Sequence, residues 1–218
     1  MAYPTDPEIA ALLPGMLEVL RGPDDAQFKL GEGNDGTVYQ AFDPVVVACG
    51  GLDPYPGRLK DLCVKVWKPG FRKRTQEIEV HLVAQGLPME HAKVPSLVHV
   101  DIAAGAFLME CVPGKTAARA LFGRRRFPGE SLFHFVSIGF GELNKGGVYH
   151  NDPHTENWML TDIEEELTPN PRGGGGDDTI VTDGKLWIID FGRSELTKQK
   201  DDRPELERWV EGRVRKGF

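Results

Sequence analysis

Cysteine is scarce in this chain of 218 residues, basic residues are outnumbered, and long apolar runs are missing. The three cysteines, Cys49, Cys63 and Cys111, cannot all pair and no two form a C-x-x-C, which argues against a disulfide framework or a structural zinc site and for a reducing compartment. Lys and Arg total 26 against 33 acids, and the resulting net charge of -7 argues against nucleic acid as the main ligand. No apolar stretch approaches a membrane span, and the opening "MAYPTDPEIAALLPGMLEVL" carries acids where a signal peptide needs bases. A soluble intracellular protein, cytoplasmic or nuclear and without a membrane partner, is expected. What the chain does have is 40% hydrophobic residues, enough for the core of one large domain or of two small lobes. There is no internal repeat, and Gly173 to Gly176 are the one low-complexity element, fit for a hairpin tip.

Thr5 reads as an N-cap before Pro7, and Ile9, Leu12, Leu13, Met16, Leu17 and Leu20 recur at helical spacing, giving a packing helix in which Pro14 is a kink point. From Gln27 the pattern becomes strand, turn, strand in "QFKL", "GEGNDG" and "TVYQAF". A Gly- and Pro-rich loop follows, then the strand "LCVKVW", a helix from Thr75 to Gln85 closed by Gly86 and Pro88, and the strands "SLVHVDI" and "AFLMECV". Pro113 and Gly114 mark a break that can join two lobes. Leu132, Phe135, Val136, Gly139, Phe140 and Leu143 form one face of a second helix stopping at Gly146 and Gly147. After it come "GVYHND", a short strand "NWML", an acidic insert, the strand "KLWIID" and a final helix from Pro204 with Leu206, Trp209 and Val210 inward.

Gly31-x-Gly33-x-x-Gly36 is followed by Thr37-Val38-Tyr39, which is β-prone, so the glycines bend a hairpin and do not open a helix as in a dinucleotide fold. Such a hairpin lets backbone N–H groups approach an anion closely. Lys65 in "LCVKVW" points to the face opposite Val64 and Val66 and can complete that anion site. The stretch "GVYHNDPHTENWML" then crowds His150, Asp152, His154, Glu156 and Asn157 between residues that read as buried strand.

"GEGNDGTVY", "CVKVW", a helix with Glu79, "AFLMECVPG", "HNDPHTEN" and "WIIDFG" occur in the order and local contexts of the protein-kinase-like fold, which the chain resembles over residues 27 to 195. The resemblance implies an α+β, two-lobed architecture with an antiparallel-sheet N-lobe and a truncated helical C-lobe. It divides the chain into an N-terminal helical extension (1–26), an N-lobe (27–111) and a reduced C-lobe (112–218) carrying the insert 161–184. It implies ATP and Mg²⁺ in the cleft. Gly31, Gly33, Gly36 and Val38 would cover the nucleotide, and Lys65 would contact the phosphates while pairing with Glu79, with Glu77 as the fallback. Met109 would stand at the back of the adenine pocket, and the backbone of Glu110 to Val112 would face the purine edge. Asp152 would accept or orient the acceptor's proton, Asn157 and Asp190 would hold metal, and His150 would brace the loop.

Departures from the protein-kinase pattern bear on the subclass. Asn151 stands where an arginine precedes the catalytic aspartate, and His154 stands where a lysine is usual, as in aminoglycoside and choline phosphotransferases, where it can stabilise charge on the phosphoryl group when protonated. Only 26 residues follow Gly192, a reduction similar to that of the RIO kinases and the kinase of the KEOPS complex. Asn157 and Asp190 are 33 positions apart, and the surplus is residues 161–184, where seven acids face one arginine. A disordered linker is the default for that insert, with docking of a protein partner as the alternative. The clusters Arg72-Lys73-Arg74 and Arg124-Arg125-Arg126 read as solvated faces or as grips for an acidic partner. The expected activity is transfer of the γ-phosphoryl group to a hydroxyl of a protein or small molecule. A nucleotide-binding scaffold without catalysis and an ATPase component of a complex are the competing readings.

Overall fold

The protein is described from a computed structural model covering residues 3–23, 25–50, 56–113, 115–116, 129–154, 156–168, 178–197, 200–202 and 204–208, with backbone only for 115–116, 129–135, 162–168 and 178–184. It is an α+β protein whose chain divides into two compact units, Met1–Gln76 with Pro95–Val112 and Glu77–Val94 with Pro113–Phe218. Among the described residues no helix is long and apolar enough to cross a membrane.

In the first unit, helix α1 (Pro7–Leu20) is started by Asp6, whose carboxylate accepts the N–H groups of Glu8 and Ile9, with Pro7 in the first turn where its missing N–H costs nothing. The cap is therefore Asp6 and not Thr5, because the side chain directly before Pro7 reaches the free amides. The helix runs through Pro14. Its Ile9, Leu13, Met16, Leu17 and Leu20 are buried with Leu62, Val64, Ala106 and Leu108. The strands β1 (Lys29–Glu32), β2 (Gly36–Gln40), β3 (Leu62–Trp67), β5 (Leu97–Asp101) and β6 (Ala106–Glu110) form an antiparallel sheet in the order β1-β2-β3-β6-β5. A short helix α2 (Pro44–Ala48) follows β2 and is capped by Asp43. Alternation gives β3 two faces: Leu62 and Val64 pack under α1, while Cys63, Lys65 and Trp67 look the other way.

In the second unit, β4 (Ala92–Lys93), β7 (Lys115–Thr116), β9 (Trp158–Thr168) and β10 (Asp178–Ile188) form a sheet in the order β4-β10-β9-β7. Helix α3 (Arg74–Gln85) enters this unit through Val80 and Ala84, which join Ala92, Val94, Trp158, Leu186 and Ile188 in one core. Residues 77–94 group with the second unit, where β4 pairs in parallel with β10. Helix α4 (Gly129–Lys145) buries Val136, Phe140 and Leu143, and a Cβ on Gly139 would sit 2.5 Å from Leu186, so glycine is what lets helix and sheet touch. The side chains of Leu132 and Phe135 lie outside the described residues. Two short strands, β8 (Val148–Tyr149) and β11 (Glu195–Leu196), pair after it.

The acidic insert is not a bare linker. β9 and β10 continue as one antiparallel ladder to the pair Thr168 and Asp178, with irregularities near Asp183. Backbone pairing carried on from the core rungs outweighs the low strand preference of the acids. Gly173 to Gly176 lie outside the described residues, as do Trp209 and Val210. The final helix is present over residues 204–208, with Leu206 buried.

Candidate functional site

The glycine motif lies on the β1-β2 hairpin, closed by the Gly33 N–H on the Gly36 carbonyl at 2.9 Å. A Cβ on Gly36 would meet the Val66 carbonyl oxygen at 2.7 Å and the Lys65 Cε at 3.3 Å, so the missing side chain is what allows Lys65 to lie along the strand pair. Lys65 is 4% exposed, opposite Val38 on one side and Phe107 on the other. A solvated strand lysine is thereby ruled out. Glu32 within the motif bridges Lys29 and Lys68, whose hydrogen bonds and charges hold its carboxyl at about 2.

Met109 is half-buried on the same face, opposite Cys63. The Glu110 N–H is bonded to the Ser96 carbonyl at 2.9 Å and the Cys111 N–H to the Asp61 carbonyl at 2.8 Å. Both amides are engaged within the fold, which leaves the carbonyls of this stretch and the backbone of Val112 as the groups in question for a purine edge.

On α3 the buried glutamate is Glu77, at 1% exposure, and Glu79 is exposed. Of the two glutamates considered as the partner of Lys65, the buried one is thus the alternative, Glu77. Ile78, Val80, His81 and Ala84 set the inward face of the helix, and Leu82 and Val83, three and four residues after Glu79, are only half-buried. Of the basic run before it, Arg74 lies over the Trp67 ring and donates to the Ile102 carbonyl, while Arg72 and Lys73 are exposed. Arg124 to Arg126 lie outside the described residues.

The second unit brings the polar loop together. His150 is fully buried between Phe140 and Phe191, with Nε2 2.9 Å from the Ile189 carbonyl oxygen, so it ties the loop to the strand end before Asp190. Asn157 does the same with its carbonyl, which accepts the Ile189 N–H at 2.9 Å, and its Nδ2 donates to the Asp152 carbonyl at 2.9 Å. Both Asn151 and Asp190 have left-handed backbones, with φ of 63° and 60°, a conformation that non-glycine residues adopt at a cost and that clusters at functional sites.

The Asp152 carboxylate lies 3.5 Å from His154 Nε2 and 3.6 Å from Arg193 Nη1. Partial burial pushes its carboxyl up, but the His154 hydrogen bond and the His154 and Arg193 charges outweigh that and hold it below the usual carboxylate range. The same hydrogen bond raises His154 above the ordinary imidazole value against the opposing effect of burial, helped by the charges of Asp152, Glu156 and Asp190. The Glu156 N–H lies 3.2 Å from His154 Nδ1, and Asn157 Nδ2 lies 3.2 Å from Nε2 on the side facing Asp152.

Sequence reasoning missed the brace beneath this loop. Asp202 is fully buried, and its carboxylate accepts from Asn144 Nδ2 (2.7 Å), the His150 N–H (2.8 Å) and the Asn151 N–H (2.9 Å). Ser194 Oγ donates to the His150 carbonyl at 3.0 Å. No local pattern marks Asp202, which stands in a charged run beside the exposed Asp201.

The donor set at Asn157 and Asp190 suits a hard cation. With Nδ2 engaged on the Asp152 carbonyl, Asn157 presents its amide oxygen, and one Asp190 carboxylate oxygen lies 3.3 Å from the Gly192 N–H. A separate trio, Glu90, His91 and Glu142, gathers three ligand-type side chains. There the Glu142 carboxylate is already occupied by the Glu90 and His91 amides and His91 Nδ1, a link between α4 and the segment before β4. Compared with known protein families and with curated proteins, the chain matches none.

Proposed function

We propose that the protein is a phosphotransferase that uses ATP and Mg²⁺ to move the γ-phosphoryl group to a hydroxyl of a protein or small molecule. The observation that carries the reading is Asp152, held ionised by His154 and Arg193 on a loop that Asn157 and His150 pin to the strand leading into Asp190. A carboxylate kept below its usual range is a weak base, suited to orienting an acceptor hydroxyl and accepting its proton late in the transfer. His154, biased toward its cationic form, supplies positive charge where the transferred group gathers negative charge. Asn157 and Asp190 would hold the metal, which when bound neutralises phosphate charge. Lys65 and the hairpin of Gly31, Gly33, Gly36 and Val38 would serve the nucleotide's phosphates, and Met109 with the backbone of Glu110 to Val112 its base. The surplus β9-β10 hairpin is the candidate docking element for a protein partner.

Thermal melts with ATP alone and with ATP plus magnesium, on the wild type and on Asp190→Asn, test the reading. Magnesium-dependent stabilisation of about 2.7 kcal/mol is expected at a hundredfold excess over the dissociation constant, and most of it should vanish in the variant. A shift that ignores metal and survives Asp190→Asn would favour a nucleotide-binding scaffold, and no shift at all would reject a nucleotide site.

A further inference from the structure

Two of the three cysteines meet in the fold although no sequence spacing pairs them. Cys63 on β3 stands opposite Met109 on β6, and Cys111 follows two residues later, just past the end of that strand. Cys63 Sγ is 3.8 Å from the Glu110 carbonyl oxygen, and Cys111 Sγ is 3.9 Å from Oε1 of Gln40, the β2 residue opposite Cys63. The two thiols also influence each other's ionisation. The two sulfurs differ in environment. Cys63 is 3% exposed and Cys111 is half-buried. The influence of Cys63 lowers the Cys111 thiol against the effect of burial, and that of Cys111 together with burial lifts Cys63 well above the usual thiol range. An accessible sulfur that ionises more readily, beside a buried one that stays protonated, is the arrangement of an attacking and a resolving cysteine.

We propose that Cys63 and Cys111 form an oxidation site, a dithiol that hydrogen peroxide converts to a reversible disulfide joining β3 to the chain just past β6. The Cys111 thiolate attacks one peroxide oxygen, the O–O bond breaks, and the departing hydroxide takes a proton to leave as water, with Cys111 as the sulfenic acid. Cys63 then attacks the Cys111 sulfur. The S–S bond forms, the S–O bond breaks, and the hydroxide leaves with the Cys63 proton as a second water. Two thiols give up two electrons and the peroxide gains them.

Lys65 is two positions from Cys63 on the same face of β3, so the link acts on the strand that carries it. The proposal stands apart from the phosphotransferase reading.

The test uses the full chain with the exposed Cys49 replaced, Cys49→Ser, to prevent pairing between molecules. After peroxide treatment, remaining thiols are alkylated under denaturing conditions and the protein is weighed intact and as peptides. The expected result is a monomer lighter by two hydrogen atoms, with Cys63 and Cys111 protected together and joined in one peptide pair, all reversed by dithiothreitol. Adding Cys63→Ala should leave Cys111 as a sulfenic acid that dimedone traps. Both thiols remaining open to alkylation, or Cys111 running to the sulfinic acid while Cys63 stays free, would overturn the proposal, and neither result depends on how well the Cys63 variant folds.

Discussion

Replacing Asp202 by alanine removes a fully buried carboxylate that accepts three hydrogen bonds, two of them from the backbone of His150 and Asn151. A hydrogen bond to a charged group contributes about 1.5–3 kcal/mol, so the three together set an upper bound of roughly 4.5–9 kcal/mol. Relief from keeping a charge out of water offsets part of this, and water entering the gap offsets more. The expected loss for Asp202→Ala is therefore about 3–5 kcal/mol, the range for breaking a buried charged network from one side. Asp202→Asn keeps one acceptor oxygen but turns an NH₂ toward a donor, and should cost about 1–3 kcal/mol. The neighbouring Asp201→Ala, at an exposed position, should stay within about 0.5 kcal/mol. Urea denaturation at neutral pH on the three variants reads these differences directly. Because the same carboxylate fixes Asn151 in its left-handed conformation, phosphoryl transfer should fall in Asp202→Asn even where the protein is folded. An Asp202→Ala protein within about 1 kcal/mol of the wild type, or one indistinguishable from Asp201→Ala, would refute the claim that this residue braces the loop.

Lys65→Met keeps the buried stem and removes the charge, so ATP turnover should disappear while the circular dichroism spectrum is unchanged; undiminished turnover would remove Lys65 from the site. The Asp152–His154 pair predicts a pH signature. His154 is raised, so its contribution is complete below its ordinary value of 6.5 and lost as pH rises through the raised one. Asp152 is lowered, so its contribution holds above 3.8 and is lost as pH falls through the depressed value. His154→Gln should then cost about 0.5–1 kcal/mol near pH 5.5 and almost nothing near pH 9, and equal losses in urea melts at the two pH values would contradict the pairing.

Local patterns in the sequence reach as far as local physics does. The β1-β2 hairpin was legible because glycine spacing and a β-branched run are properties of neighbouring residues, and the buried stripe of α1 was legible for the same reason. The helix cap fell one residue away, at Asp6, since Thr5 and Asp6 both carry capping oxygens and only the folded backbone decides between them. Which of Glu77 and Glu79 is buried was not legible because both flank apolar positions, and the inward face of α3 is set by the core of the second unit. Asp202 was out of reach altogether. Its partners at Asn144, His150 and Asn151 lie more than fifty positions upstream, and a buried acid and an exposed one read alike in "KDDRPE". The long β9-β10 ladder was hidden by its acids, which strands usually avoid and which register with the core rungs overrides.

The central claim, that the residues around Asp152 and Asp190 transfer a phosphoryl group, is tested most directly by incubating purified protein with γ-labelled ATP and magnesium, with and without protein and small-molecule hydroxyl acceptors, beside Asp152→Asn and Asp190→Asn. The account predicts label moving to an acceptor hydroxyl only when magnesium is present, lost in Asp190→Asn and reduced by 10²-fold or more in Asp152→Asn, about what a positioned general base contributes. Label transfer that persists undiminished in both variants, or wild-type protein that releases no label to any acceptor or to water, would contradict it.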